Sequence, residues 1–317
     1  MLRFLGARIA QAAAVVLLVT FFVFAVLHFL PGSPARAMLG IKASPGAIRA
    51  FNVVNGFNRP LPVQYALYLD RLFHGNLGFS YHFNLPVSSL LAMDLPKTGL
   101  LVGIAYALSL LVAIPIGIVQ AVRRGNPVDH TITTIAFVGY AMPSFWLGIL
   151  LIMLFSVQFH VLPPEGPQGA SIGAVLNDPR ALVLPVLTLT VITVALFSRF
   201  MRSATIETLL QDYIRTARAK GMSTSHMVWR HVLRNSLLPV VTLIGLSFPY
   251  VISGAVVVEA LFNYPGMGWS FWSAAQVQDY PVLLGFTVVV AAATVAGNLL
   301  ADVAYAFLDP RVRYGRR

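Results

Sequence analysis

The stretch Tyr213-Ile214-Arg215-Thr216-Ala217-Arg218-Ala219-Lys220-Gly221, running on to Leu238-Pro239, is strongly charged. It nevertheless stands between two apolar runs, Ala181 to Phe200 and Leu237 to Val258. At roughly 20 residues, each flanking run is long enough to cross the hydrocarbon core of a bilayer as a helix. The charged stretch must therefore meet something outside the bilayer. From Leu209 to Ala219 the apolar residues Leu209, Leu210, Tyr213, Ile214 and Ala217 recur near helical spacing, while Asp212, Arg215 and Arg218 fall on other faces. This predicts a short amphipathic helix. Gly221 interrupts it and allows a turn that a residue with a β-carbon would resist. A second helical stretch then carries Met222, Trp229, Val232 and Leu233 towards Pro239. The pattern alone fits equally well a membrane-surface helix with its arginines on lipid phosphates.

Working outward, the chain of 317 residues is 57% hydrophobic and only 10% charged, against roughly a quarter charged in soluble domains. Six runs are long enough to span a membrane: Ile9 to Leu30, Gly99 to Val122, Ile132 to Phe159, Ala181 to Phe200, Leu237 to Val258, and Pro281 to Phe307. Backbone amides in lipid have no water to bond, and the short alternating segments of a transmembrane barrel are missing, so the expected class is an all-α polytopic membrane protein. Fifteen of the twenty-two Lys and Arg residues fall on one side of this map, in the N-terminus, the second and fourth loops and the C-terminal tail. That side is expected to be cytoplasmic, with both termini inside. The same excess, a formal net charge of +11, points to lipid headgroups and topology rather than nucleic acid. With no cysteine, thiol chemistry is excluded. Arg3, Arg8 and the small-x-small triplet Ala35-Arg36-Ala37 admit a signal peptide, but the apolar run exceeds the roughly 7 to 15 residues of such a segment, which favours a retained helix.

The expected organisation is residues 1–30 as a cytoplasmic end and first span, 31–96 as an external segment, and 97–317 as the core, with a cytoplasmic loop over 202–236. The external segment is aromatic and broken by proline. Ser44-Pro45 reads as a helix start, and Pro62 to Phe73 as a second short helix stopped near Gly75. It is expected to form a lid on the helix ends, a docking surface, or both. Asp302 is the clearest carboxylate inside a span and needs a partner, for which Arg311, Arg313 or a loop arginine are candidates. Glu259, at the outer end of the fifth span, reads equally as a gate or subunit contact and as a solvated interfacial group. Pro115, Pro143, Pro185 and Pro249 lie inside spans and are candidates to bend them. Small residues four apart, Ala292 with Ala296 and Ala293 with Gly297, allow close helix approach in the last span.

Several motifs carry a resemblance. Arg215-Thr216-Ala217-Arg218-Ala219-Lys220-Gly221 is followed by Arg230-His231-Val232-Leu233-Arg234-Asn235. Pro31-Gly32-Ser33-Pro34-Ala35 follows the first span, and Arg59-Pro60-Leu61-Pro62-Val63-Gln64-Tyr65 lies in the external segment. Pro143-Ser144-Phe145-Trp146-Leu147-Gly148 sits in the third span. Val258-Glu259 leads into Phe262-Asn263-Tyr264-Pro265-Gly266-Met267-Gly268, and Leu308-Asp309-Pro310-Arg311-Val312-Arg313 closes the last span. In order and spacing the chain resembles the permease subunits of binding-protein-dependent ABC importers, in the dipeptide, oligopeptide and nickel branch. It departs from the branch at Ser33, Asn58 and Asn76, where relatives often carry aspartate.

That resemblance implies a type I importer permease with six transmembrane helices and a partly helical external segment. It implies alternating access, a second homologous permease subunit, two cytoplasmic ABC ATPases and an external substrate-binding protein. The coupling residues it marks are Asp212, Tyr213, Arg215, Thr216, Ala217, Arg218, Ala219, Lys220 and Gly221. Glu259, Pro143 and Ser144 are candidate gate or pathway residues. Substrates implied are di- or oligopeptides, with nickel or another small solute as the alternative. The chain has no Gly-x-x-x-x-Gly-Lys-Ser/Thr loop, His-Glu-x-x-His pair or Gly-x-Ser-x-Gly turn, so catalytic and metal residues are not expected, and ATP and Mg are expected on the partner ATPases. The competing class is an ion-coupled secondary transporter, for which Asp302 is the one hint.

Overall fold

In the computed structural model residues 2–29, 34–40 and 42–308 are described. The chain begins with α1 (Leu2–Phe29), followed by α2 (Pro34–Leu39), α3 (Pro45–Asn55) and α4 (Leu61–Phe73). Ser44 accepts the N–H of Ala47 and caps α3, and proline occupies the first turns of α3 and α4, where its missing N–H costs nothing. A two-residue hairpin, β1 (Phe79–Ser80) against β2 (Leu85–Pro86), is the one departure from an all-helical chain among the described residues.

Next come α5 (Val87–Val122), α6 (Pro127–Ala141), α7 (Ser144–Leu151) continued by a π-helical stretch Ile152–Gln158, α8 (Ile172–Leu176) and α9 (Pro179–Leu209). Beyond them lie α10 (Asp212–Ala219), α11 (Thr224–Met227), a π turn Val228–Val232, α12 (Leu233–Leu261), α13 (Met267–Gln276) and α14 (Tyr280–Leu308). By length and composition α5, α9 and the Tyr280–Leu299 part of α14 can each cross a membrane, and α6 with α7 makes a fourth if the bent pair counts as one span. The architecture is thus an all-α polytopic bundle, with three to four long apolar helices among the described residues.

Two expectations about the spans change. The third expected span, Ile132 to Phe159, is not one helix: α6 and α7 meet at 104°. Met142 and Pro143 are both extended there, because proline has no N–H to give to the helix and pushes the preceding residue out of helical geometry. The helix that carries the second expected span begins at Val87, twelve residues before Gly99. The residues that made 87–98 read as too polar satisfy one another: Lys97 Nζ lies 2.9 Å from Asp94 Oδ1, and both side chains are under 10% exposed. By contrast α5 and α9 run unbroken through Pro115 and Pro185.

α5 and α9 form the central pair. Gly117 is required there, since an added β-carbon would stand 2.6 Å from Met201 Cβ and 2.8 Å from the Ser198 carbonyl oxygen. Ser109, fully buried, donates to the carbonyls of Ala105 (2.6 Å) and, across the interface, Thr190 (3.2 Å). α12 closes this core with Val240, Ala255 and Val258. A second apolar cluster joins Phe24 of α1, Tyr68 of α4, Leu90 of α5, Ala274 of α13 and Phe286 of α14. The pairing expected of Asp302 with Arg311 or Arg313 lies outside the residues whose side chains are described.

Candidate functional site

The charged loop folds as a helix, a turn and a second helical stretch. α10 ends in a Schellman arrangement: Gly221 N–H donates to the Arg218 carbonyl at 3.0 Å and Met222 N–H to the Ala217 carbonyl at 3.2 Å. This requires a left-handed residue, and Gly221 has φ +81°. Ser223 then caps α11 by accepting from His226 N–H. Ile214, Met227 and Val232 form a small separate core with Leu209 and Met222 around them, so the loop is fastened to the end of α9 and the start of α12 by its own hydrophobic contacts. Asp212, Arg215, Thr216, Arg218, Ala219 and Lys220 are exposed and Ala217 is half-buried. Arg215 and Asp212 approach to 3.6 Å, but with both side chains in solvent such a pair is worth little.

Two of the residues expected on the apolar face of this helix are not there. Leu210 is 56% exposed and Tyr213 44%. For Leu210 the cause is a break in phase: α9 continues to Leu209, Gln211 is extended, and α10 starts only at Asp212, so Leu210 does not continue the turn of α10. The Tyr213 hydroxyl instead accepts from Asn235 Nδ2 at 2.7 Å, tying α10 to the start of α12. Trp229, expected with the apolar residues of the second stretch, is 68% exposed.

Just above the loop, Arg202 of α9 grips Asp129 of α6 in a bidentate pair, Nε to Oδ1 at 2.7 Å and Nη2 to Oδ2 at 2.8 Å. Asp129 also accepts from Gly125 N–H at 3.1 Å, which pins the α5–α6 turn against α9. Sequence reasoning did not single out this pair, although a lone aspartate after Arg123-Arg124 facing an arginine-rich loop was the available signal.

At the opposite end lies Glu259. It is 0% exposed, so the alternative of a solvated interfacial group does not hold. Its Oε2 accepts from the N–H groups of Gly268 (2.7 Å) and Trp269 (3.2 Å), the first turn of α13, where a carboxylate meets both unpaired donors and the positive end of the helix dipole. This accounts for the glycines of Tyr264-Pro265-Gly266-Met267-Gly268. A β-carbon on Gly266 would strike the Glu259 carboxylate, and one on Gly268 would stand 2.6 Å from Val256 Cα. Thr98 Oγ1 accepts from Met267 N–H (2.8 Å), Ser270 Oγ donates to Asp94 (2.5 Å), and the Tyr264 hydroxyl donates to the Lys97 carbonyl (2.7 Å). The start of α5, the end of α12 and α13 are thereby joined through buried polar groups.

Pro143 and Ser144 sit at the α6–α7 break. Beyond it Leu147 and Gly148 are buried, Gly148 so close to Leu261 and Phe262 that a β-carbon would collide, while Phe145 and Trp146 face outward. Among the described residues no group of three or more His, Cys, Asp or Glu side chains is placed to hold a metal ion.

A bundle of long apolar helices carrying a separately anchored charged helix and turn is the architecture of a polytopic membrane protein. The chain belongs to the family of binding-protein-dependent transport system inner membrane components, which its residues 113–314 match, while residues 1–101 match the N-terminal region of such components. It is 38% identical over 309 residues to the oligopeptide transport system permease protein AppB of Bacillus subtilis, covering 97% of this chain and 98% of that protein. It is 37% identical over 312 residues to DdpB of Escherichia coli, named a probable D,D-dipeptide transport system permease protein, covering 92% of each. Among solved structures, the inward-facing MetNI methionine ABC transporter matches with a TM-score of 0.60 at 16% identity, over 71% of this chain and 98% of that one. At that identity the likeness is one of fold.

Proposed function

We propose that this protein is the transmembrane subunit of an ATP-driven importer that carries di- or oligopeptides across the plasma membrane of a prokaryote by alternating access. The full-length relation to peptide permeases carries the substrate class. In this reading six helices cross the membrane: α1, α5, the bent α6–α7 pair, α9, α12 and α14. Both termini face the cytoplasm. Residues 31–96 form the external segment, and the core runs from 97 to 317 with its coupling loop at 202–236.

ATP and Mg bind to two partner ATPases, and the exposed face of Asp212 to Lys220 is what they contact. Tyr213 and Gly221 hold that face at a set angle to α12 and α9. A second homologous permease completes the passage, and an external binding protein delivers substrate. Glu259 anchors α13 at the outer mouth, and Pro143 and Ser144 form the bend beside the passage. Coupling of this kind requires the ATPases to bind the inward- and outward-open states with different free energy, so the loop must be firmly attached in both. Its private core of Ile214, Met227 and Val232 supplies that attachment.

The test is to tag the chain in its native membrane, extract it in mild detergent, and identify by mass spectrometry what copurifies. A second permease with ATPases is expected, together with ATP-dependent peptide uptake after reconstitution. Recovery of the chain alone from complexes shown to survive the detergent, with uptake following membrane potential, would refute the reading.

A further inference from the structure

Arg199 sits inside the apolar run of α9, one turn before Arg202, and the two arginines are held in different ways. Arg202 finds a carboxylate in Asp129, near the start of α6. Arg199 has neither a hydrogen bond nor an ion pair among the described residues. Its guanidinium carbon lies instead 4.3 Å from the ring centre of Phe137 and 5.0 Å from that of Tyr140, both on α6. Aromatic faces attract the charge but leave the N–H donors of the fork without an oxygen to bond. A guanidinium does not lose its proton in a protein, so this is a permanent cation in a helix read as crossing the membrane.

The side chain is also carried inward. α6 and α9 run antiparallel: Asp129 early in α6 meets Arg202 late in α9, while Gly139 late in α6 packs on Ala195, whose Cβ would stand 3.4 Å from a β-carbon there. At about 1.5 Å per residue, Phe137 and Tyr140 stand roughly 12 and 17 Å along α6 from Asp129. A long basic side chain near the end of a span normally reaches for the interface. Arg199 reaches away from the charged loop, the direction in which side chains lean on a helix, and ends beside rings just before the Met142-Pro143 break. A cation so placed has to face water or a counter-ion, because an unpaired charge in lipid is strongly unfavourable. This chain leaves it open: Phe137 is 52% and Tyr140 46% exposed, and Arg199 is half-buried.

We propose that Arg199, braced on Phe137 and Tyr140 at the α6–α7 bend, pairs with the carboxylate of the peptide as it travels the passage. The inference rests on the importer reading above and adds a residue through which the permease itself recognises its solute. A carboxylate is what every peptide with a free C-terminus carries whatever its side chains, and a guanidinium fork takes it through two parallel N–H···O bonds. The contact also has to let go. An ion pair in a hydrated opening is weak, so it captures without retaining, and the two rings keep the arginine in place when no solute is there.

The chain has no cysteine, so Arg199→Cys gives it a single thiol for the test. In the complete importer, reconstituted with its binding protein, that thiol should react with water-soluble methanethiosulfonates, located on this chain by mass spectrometry. Attaching a trimethylammonium group should raise ATP-driven uptake of trialanine several-fold above that given by attaching a sulfonate, with the same reagents on the unsubstituted importer as reference. A thiol that does not react, or two labels of equal effect, overturns the proposal. Arg199→Gln tests the solute's carboxylate: the ratio of trialanine uptake to uptake of its C-terminal amide should fall by about tenfold, the loss of a hydrogen-bonded contact to a charged group. An unchanged ratio also overturns it and assigns the arginine to a carboxylate of the second permease or to a lipid phosphate. If the unsubstituted importer takes up no trialanine, the peptide reading is refuted instead, while thiol labelling still reports whether residue 199 faces water.

Discussion

Substitution of Gly221 separates a requirement for the turn itself from a requirement for space. The residue has φ +81°, and a β-carbon added there would meet nothing within 4 Å in this chain. The penalty for a side chain is therefore one of backbone conformation. Left-handed geometry costs an L-residue roughly 1–2 kcal/mol, with β-branched residues at the upper end or beyond and Asn, whose side chain bonds locally, at the lower. At about 1.4 kcal/mol per factor of ten, the ratio of intact to broken turn falls around fivefold for Gly221→Ala and around thirtyfold or more for Gly221→Val. What is lost with the turn is the Met222 N–H to Ala217 bond, which places Met222 against Ile214 and Met227. ATP-driven peptide uptake by proteoliposomes holding the complete importer should then rank Gly, Asn, Ala, Val in descending order, while membrane insertion stays constant. If Asn and Ala are as inactive as Val, residue 221 is limited by contact with a partner surface rather than by its own φ, and the reasoning fails. Full activity of Gly221→Val refutes it in the other direction.

At the outer end the two glycines of α13 should behave differently towards the same suppressor. The three atoms nearest a β-carbon in Gly266→Ala all belong to Glu259, whereas Gly268→Ala also meets the Val256 backbone at 2.6 Å. Each is expected to destabilise by about 1–3 kcal/mol. Glu259→Ala should relieve the first and not the second in thermal unfolding of the purified protein, and equal relief of both would contradict the geometry. Asp129→Asn removes one side of the bidentate pair. The Arg202 side chain is 28% exposed and can be hydrated, so the expected loss is about 2 kcal/mol, below the roughly 3–5 kcal/mol of a deeply buried pair. An unchanged melting temperature would count against that pair. Tyr264→Phe gives up the bond to the Lys97 carbonyl and should cost about 1 kcal/mol by the same assay; no measurable change would show that Tyr264 acts through packing alone.

What was legible in the sequence is what depends on local pattern. The capped start at Ser44, the stop near Gly75 and the turn at Gly221 each need one residue type in one conformation, and each is found where its residues stand. The bend at Pro143 and the unbroken passage of Pro115 and Pro185 were not separable beforehand. All three lack the same N–H, and what differs is the neighbourhood: α5 and α9 brace each other through Gly117 and Ser109, while Met142 and Pro143 are extended at the junction of α6 and α7. The early start of α5 was hidden because a buried ion pair and a surface one read alike in sequence. Asp94 and Lys97 look like solvent-facing charges until Ser270 and Tyr264, more than 160 residues away, are brought against that turn. Asp129 with Arg202 is missed for the same reason.

The rigid and the hinged parts of the bundle fall in places that suit a transmitted movement. At about 1.5 Å per residue, the 31 residues of α9 run on the order of 45 Å without interruption. This helix is bonded to α5 at Thr190 and pressed on it at Ser198 and Met201. Its lower end lies two residues from α10 and is held by Arg202 to the turn between α5 and α6. A displacement applied to α10 is therefore resisted by the small core around Ile214 and passed to α9 and α5 together, since a close-packed glycine contact does not stretch. Compliance has to appear where the helix is already broken, at Met142-Pro143, and α7 beyond it is wedged by Gly148 against Leu261 of α12. Bending there carries α7 and α12 with it, and α12 ends in the Glu259 anchor of α13. Loosening either contact, at Gly117 or at Gly148, should then leave ATP hydrolysis by the assembled complex running while uptake falls, because the motor would move a bundle that no longer transmits.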